Sequence, residues 1–146
     1  MTSLENMYVS SNRLTSSIPT EVGNCVNLAV LWLNSNPSLT GVIPTEIGHL
    51  TLLKELFLSR NSHRGTIPTE VGKMASLETL ALQSNSGLTG NLPTELAEVR
   101  TLAKVTLSLT SLSGVIPEKV CLFHENALVY DCSDTFCGCG SCTCPA

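Results

Sequence analysis

Basic residues, long apolar runs and the usual catalytic signatures are all scarce in this chain, and each shortage closes off a class of function. Lys and Arg number 8 against 12 Asp and Glu, a formal net charge of −4, with a pI near 5.3. A surface built to hold nucleic-acid phosphates carries the opposite bias. No apolar run approaches the roughly 18 residues that cross a bilayer, and the opening MTSLENMYVS has no apolar stretch of the kind a secretory signal uses. A glycine-rich phosphate loop, a G-x-S-x-G elbow and an H-E-x-x-H helix are all missing. At 146 residues the length suits one domain.

What the chain has instead is a period of 24 or 25 residues, with copies beginning at Leu4, Leu28, Leu53, Leu77 and Leu102. Each reads roughly L-x-x-L-x-L-x-x-N-x-L-x-G-x-I-P-x-E-V-G-x-L. The second copy carries it most fully, in Leu28, Leu31, Leu33, Asn36, Leu39, Thr40, Gly41, Ile43, Pro44, Glu46, Ile47, Gly48 and Leu50. Similarity at a fixed period means a stacked solenoid, because one coil cannot bury its apolar side without neighbours. Such a stack offers a broad surface rather than a pocket, which favours binding over chemistry. The histidines His49, His63 and His124 fall at different phases of the repeat, so they do not converge. The chain is therefore read as not an enzyme.

Within a coil, alternating apolar positions such as Leu80 and Leu82 predict a short strand with one face inward. The five strands are expected near residues 6–10, 30–34, 55–59, 79–83 and 104–108, over a core of Leu31, Leu33, Leu56, Leu58, Leu80 and Leu82. Asn12, Asn36, Asn61 and Asn85 follow the strands, where a buried amide can satisfy backbone groups of its own and adjacent coils. Thr94 and Glu95 open a short helix or 3₁₀ turn, Thr as N-cap and Glu favoured by the helix dipole. Some copies depart from the pattern: Ser16 replaces Gly, His63 replaces the Leu of other copies, and Thr110 replaces Asn.

The string L-T-G-x-I-P-T-E-I-G from Leu39 to Gly48, with I-P-T-E recurring at Ile18, Ile43 and Ile67, resembles the plant-type leucine-rich repeat. Receptor-kinase ectodomains and polygalacturonase-inhibiting proteins carry it. The resemblance implies an α/β solenoid, a right-handed superhelix with a parallel sheet on its concave face and short helices or 3₁₀ turns on its convex face. Residues 1–117 are read as the five repeats and 118–146 as a cysteine-rich cap, similar to the cap of secreted algal and diatom members.

Strand residues alternating with the core leucines point to the concave face. One column there reads Tyr8, Trp32, Phe57, Ala81, Thr106, so three of the six aromatics become neighbours. Asn34, Glu55, Ser59 and Gln83 flank them. Apolar patches rimmed by polar groups mark interaction sites, and Tyr and Trp are common anchors. This column is the candidate site for a protein, peptide or polysaccharide ligand. Arg60, His63 and Arg64 form a secondary candidate able to meet oxyanions. The once-per-coil Glu21, Glu46, Glu70 and Glu95 are explained by helix starts rather than metal, which wants ligands converging on one point. No metal or cofactor is expected. The matching column of Thr20, Thr45, Thr69 and Thr94 is likewise read as capping rather than an ice-matching array.

Six of the seven cysteines, Cys121, Cys132, Cys137, Cys139, Cys142 and Cys144, crowd the C-terminus. An even cluster after the last coil is read as three disulfides in preference to zinc, with the pairing open among fifteen arrangements. Cys25, at a consensus leucine position, is expected to be a buried free thiol. Disulfides place the protein outside the cell or at its surface, despite the missing signal. The open apolar end of the first coil creates the expectation of further sequence upstream, since terminal repeats need a polar cover. The reading is an extracellular recognition module, receptor-like or secreted. The alternatives are a secreted inhibitor of a cell-wall-degrading hydrolase and an adhesive matrix component.

Overall fold

The computed structural model describes residues 3–114, residue 116 and the backbone of Leu128–Val129. The periodic apolar positions become a ladder of parallel strands: Asn6–Tyr8, Val30–Trp32, Glu55–Phe57, Thr79–Ala81, Lys104–Thr106 and Leu128–Val129, each bonded to the next in that order. Register follows the repeat residue for residue, Leu31 opposite Leu56 and Leu56 opposite Leu80. Among the described residues this sheet therefore has six strands where five were expected, the sixth being Leu128–Val129. Regular strands span three residues rather than five. The interstrand ladder nevertheless runs on, with Leu33 N–H donating to Phe57 O at 2.8 Å and Ser35 N–H to Ser59 O at 2.9 Å. What ends the strand is a left-handed residue in every coil: Ser11, Ser35, Arg60, Ser84 and Leu109 all have φ between 55° and 60°.

A second parallel sheet was not anticipated. Ser16–Ser17, Leu39–Gly41, Ser62–Gly65, Asn85–Gly90 and Thr110–Leu112 pair coil to coil along another side of the stack. Its residues read as loop in the sequence, because each coil contributes only a few and small polar residues dominate them. Four 3₁₀ turns, Thr20–Asn24, Thr45–His49, Thr69–Lys73 and Thr94–Glu98, line the convex side.

The threonines do not cap these turns. Proline holds each cap position in extended conformation, Pro44 at φ −69° and ψ 143°, with no side-chain cap bond. The Thr hydroxyl instead donates to the carboxylate of the next residue, Thr94 to Glu95 at 3.2 Å. Proline already fixes the entry angle, and a five-residue turn leaves little for a hydroxyl to satisfy. The turns stack so closely that a Cβ on Gly48 would lie 2.6 Å from Glu70 O. That contact is why glycine sits in the E-V-G segment.

All six predicted core leucines are buried, Leu56 and Leu58 completely. The asparagine ladder forms at Asn36, Asn61 and Asn85, whereas Asn12 in the first coil is exposed and its Nδ2 donates only to Val9 O and Ser10 O of its own coil. Asn61 Nδ2 donates to Leu58 O of its own coil at 2.9 Å and to Leu33 O of the preceding coil at 3.1 Å, while its Oδ1 accepts from Asn36 N–H at 2.8 Å. Thr110, lacking an amide, keeps the own-coil bond, its Oγ1 donating to Leu107 O at 2.7 Å. Cys25 is a buried free thiol. The six clustered cysteines lie outside the described residues, as does the proposed cap apart from Leu128–Val129, and no helix among those described is long and apolar enough to cross a membrane.

Candidate functional site

Strand alternation and exact register place Tyr8, Trp32, Phe57, Ala81 and Thr106 opposite one another on the concave face. The first three interlock. Tyr8 meets Trp32 edge to face at 5.0 Å between ring centroids, and Trp32 stacks on Phe57 at 5.1 Å with planes 1° apart. Tyr8 is 59% exposed, while Trp32 and Phe57 are partly covered because each ring shields its neighbour. Glu55 fixes the stack, its Oε2 accepting from Trp32 Nε1–H at 2.8 Å. The carboxylate thus orients the indole as well as facing solvent.

Beyond Phe57 the column turns small, and a hollow of about 320 Å³ opens. Asn34, Phe57, Arg60, Ala81, Gln83 and Lys104 are among its lining residues. Gln83 Oε1 accepts from Thr106 Oγ1. Asn34 Oδ1 is shielded from solvent and has no hydrogen-bond partner. Ser59 also borders the hollow but is buried, which limits what its hydroxyl can offer a ligand. Of the predicted set, Trp32, Phe57, Asn34, Glu55, Ser59 and Gln83 come together around the second to fourth coils, and Tyr8 extends the group at one end. Ser35, Thr79, Ala81, Lys104 and Thr106 also line the hollow and were not picked as site residues. Their signal in the sequence is the break in the aromatic column at Ala81.

The secondary cluster does not hold together. Arg60 is exposed at the concave rim and Arg64 lies exposed on the second sheet, but His63 is fully buried. It occupies a core position, not an edge. Its Nε2 lies 3.5 Å from Asn61 Nδ2, and its Nδ1 has no partner. Burial pushes the imidazole below its ordinary value, against an opposing pull from the backbone at Gly41 and Thr40. A buried neutral ring cannot serve the proposed oxyanion contact. Chain alternation explains the split: neighbouring residues on a strand face opposite sides.

The family model for the leucine rich repeat matches residues 2–62, and a second leucine-rich-repeat model matches residues 52–74. A chain of the BIR3–SERK2 complex from Arabidopsis thaliana is 31% identical, with 92% of this chain covering 73% of that one at a TM-score of 0.76. The chain belongs to the plant-type leucine-rich repeat family. The ectodomain of the Arabidopsis thaliana receptor kinase SOBIR1 gives a TM-score of 0.80 at 29% identity, over 90% of this chain and 72% of that one. The plant peptide hormone receptor RGFR1, solved in complex with RGF2, gives 0.69 at 30% identity over 89% of this chain, which spans only 24% of the receptor's. No curated protein matches. This leucine-rich repeat chain is thus comparable in length to the shorter ectodomains and a fraction of the long peptide receptors.

Proposed function

We propose that this leucine-rich repeat protein is an extracellular recognition module that binds a protein or peptide through the concave face of its first four coils. The observation that carries the reading is the ordered aromatic stack of Tyr8, Trp32 and Phe57 beside a hollow, on a face otherwise small and polar. A ring held partly open by a hydrogen bond keeps apolar area available for a partner, and interface anchors are rich in Tyr and Trp. Rigid rings also lose little conformational freedom on binding. Solved relatives include a receptor-kinase ectodomain, the BIR3–SERK2 complex and a peptide hormone receptor in complex with RGF2, which supports recognition outside the cell over catalysis.

The test uses the full chain and a random heptapeptide library displayed on phage. Peptides selected by the wild type are remeasured against Trp32→Ala. Loss of one anchor of about 2 kcal/mol weakens binding roughly thirtyfold. Selected peptides that bind Trp32→Ala as tightly as wild type place recognition on another face and end this reading.

A further inference from the structure

The ring stack is unfinished. Trp32 and Phe57 lie parallel at 5.1 Å, one ring per coil. The residue in register with Phe57 on the next strand is Ala81, followed by Thr106. The space a third ring would fill belongs to the hollow bounded by Phe57 and Ala81. Trp32 covers one face of Phe57 and is itself locked by Glu55, so the phenyl ring presents its other face from a fixed position. We infer that this is a slot for an aromatic side chain of a bound peptide, laid on Phe57 above Ala81, with an acidic group beside it.

Three features select that occupant, given the concave-face reading on which it rests. A ring seated one coil beyond Phe57 repeats the spacing already present between Trp32 and Phe57, within the range where aromatic pairs attract. The Ala81 methyl leaves the volume free where a larger side chain fills it. Arg60 and Lys104 border the hollow and no carboxylate does, so an acidic neighbour meets two cations. A ring and an acid meeting at one hollow describe a peptide with an aromatic residue beside Asp or Glu.

Trp32 is the chain's single tryptophan, and it stacks on the wall of the slot, so its emission reports occupancy directly. The displayed heptapeptide library is panned in parallel against wild type and Ala81→Leu, with circular dichroism confirming the variant's fold. Wild type is expected to select an aromatic residue within two positions of Asp or Glu. Synthetic copies should shift Trp32 emission. Binding should fall at least about tenfold when the peptide aromatic becomes Ala or when Ala81 becomes Leu. Lys104→Gln should weaken acidic peptides selectively. Peptides that need Trp32 but carry no aromatic, or that bind Ala81→Leu equally, overturn the slot and leave the concave-face reading standing. Peptides indifferent to Trp32→Ala defeat both. Binding of an oligogalacturonide with no peptide enriched overturns the peptide assignment.

Discussion

Two columns of side chains run one residue apart along the same strands, and they differ in kind. The inner column reads Met7, Leu31, Leu56, Leu80, Val105, and from Leu31 onward it is buried. The outer column reads Tyr8, Trp32, Phe57, Ala81, Thr106 and changes chemistry along the stack. Backbone spacing and hydrogen bonding are the same for both. Inside, each side chain must fill the layer between two coils at near-crystalline density, which forces repetition. Outside, only Ala81 is buried, and the other four keep open surface, so the choice is freer. Uniformity therefore records packing, and departure from uniformity marks where a ligand can be told from solvent.

Substitutions can break that contrast, beginning with the largest effect. Leu56→Ala leaves a cavity in the middle coil and should cost about 2–5 kcal/mol, measured by urea unfolding. If the outer column is energetically comparable, Trp32→Ala will cost as much, and the distinction fails. Next in size, Gly48→Ala drives a methyl into Glu70 O of the following turn. The expected penalty is about 1–3 kcal/mol, seen as a lower Tm. The fourth turn tolerates Ala97 at the corresponding position.

His63 is the inner layer's own exception. Leu39 and Leu88, at the same place in adjacent coils, are buried hydrocarbon, whereas His63 strands Nδ1 without a partner. His63→Leu should stabilise by about 1–2 kcal/mol, the order of an unmet buried hydrogen-bonding group. The pH dependence has a definite sign. Burial lowers the folded-state pKa from 6.5, so the unfolded chain binds the proton first as pH falls. Stability is fully present above that ordinary value and drops as pH falls below it. His63→Leu should flatten that slope in thermal melts between pH 5 and pH 8; an unchanged slope would show that another group titrates.

Trp32→Ala removes two ring contacts and the Glu55 bond at a partly exposed position and should cost about 1–2 kcal/mol, while weakening binding roughly thirtyfold. Smallest is Ser16→Gly. Ser16 holds φ at 67°, where the other copies place Gly41, Gly65, Gly90 and Gly114. Relieving that strain should stabilise by about 0.5 kcal/mol, once the extra freedom of an unfolded glycine is deducted. A loss of stability instead would mean that the Ser16 side chain is held by its surroundings.

Much of this could be read from the residues. The strand register, the six core leucines, the asparagine ladder, buried Cys25 and the aromatic column all follow from a period that repeats the same environment every coil. Threonine capping did not follow, because proline already occupied the cap. Grouping His63 with Arg60 and Arg64 did not hold, because alternation along Ser62–Gly65 turns His63 inward and Arg64 outward. The second sheet was missed since its short, polar strands carry no alternation.

By itself the sequence determined the stacking, because leucines recurring every 24 or 25 residues can be buried only against copies of themselves. It determined equally which residues share a column. The tertiary structure alone decided how those columns use their space: that Trp32 lies flat on Phe57 and is pinned by Glu55, that the stack stops above Ala81, and that Arg60 and Lys104 border the opening while His63 does not. Period specifies neighbours, but ring orientation, void and burial arise only when side chains from different coils compete for the same volume.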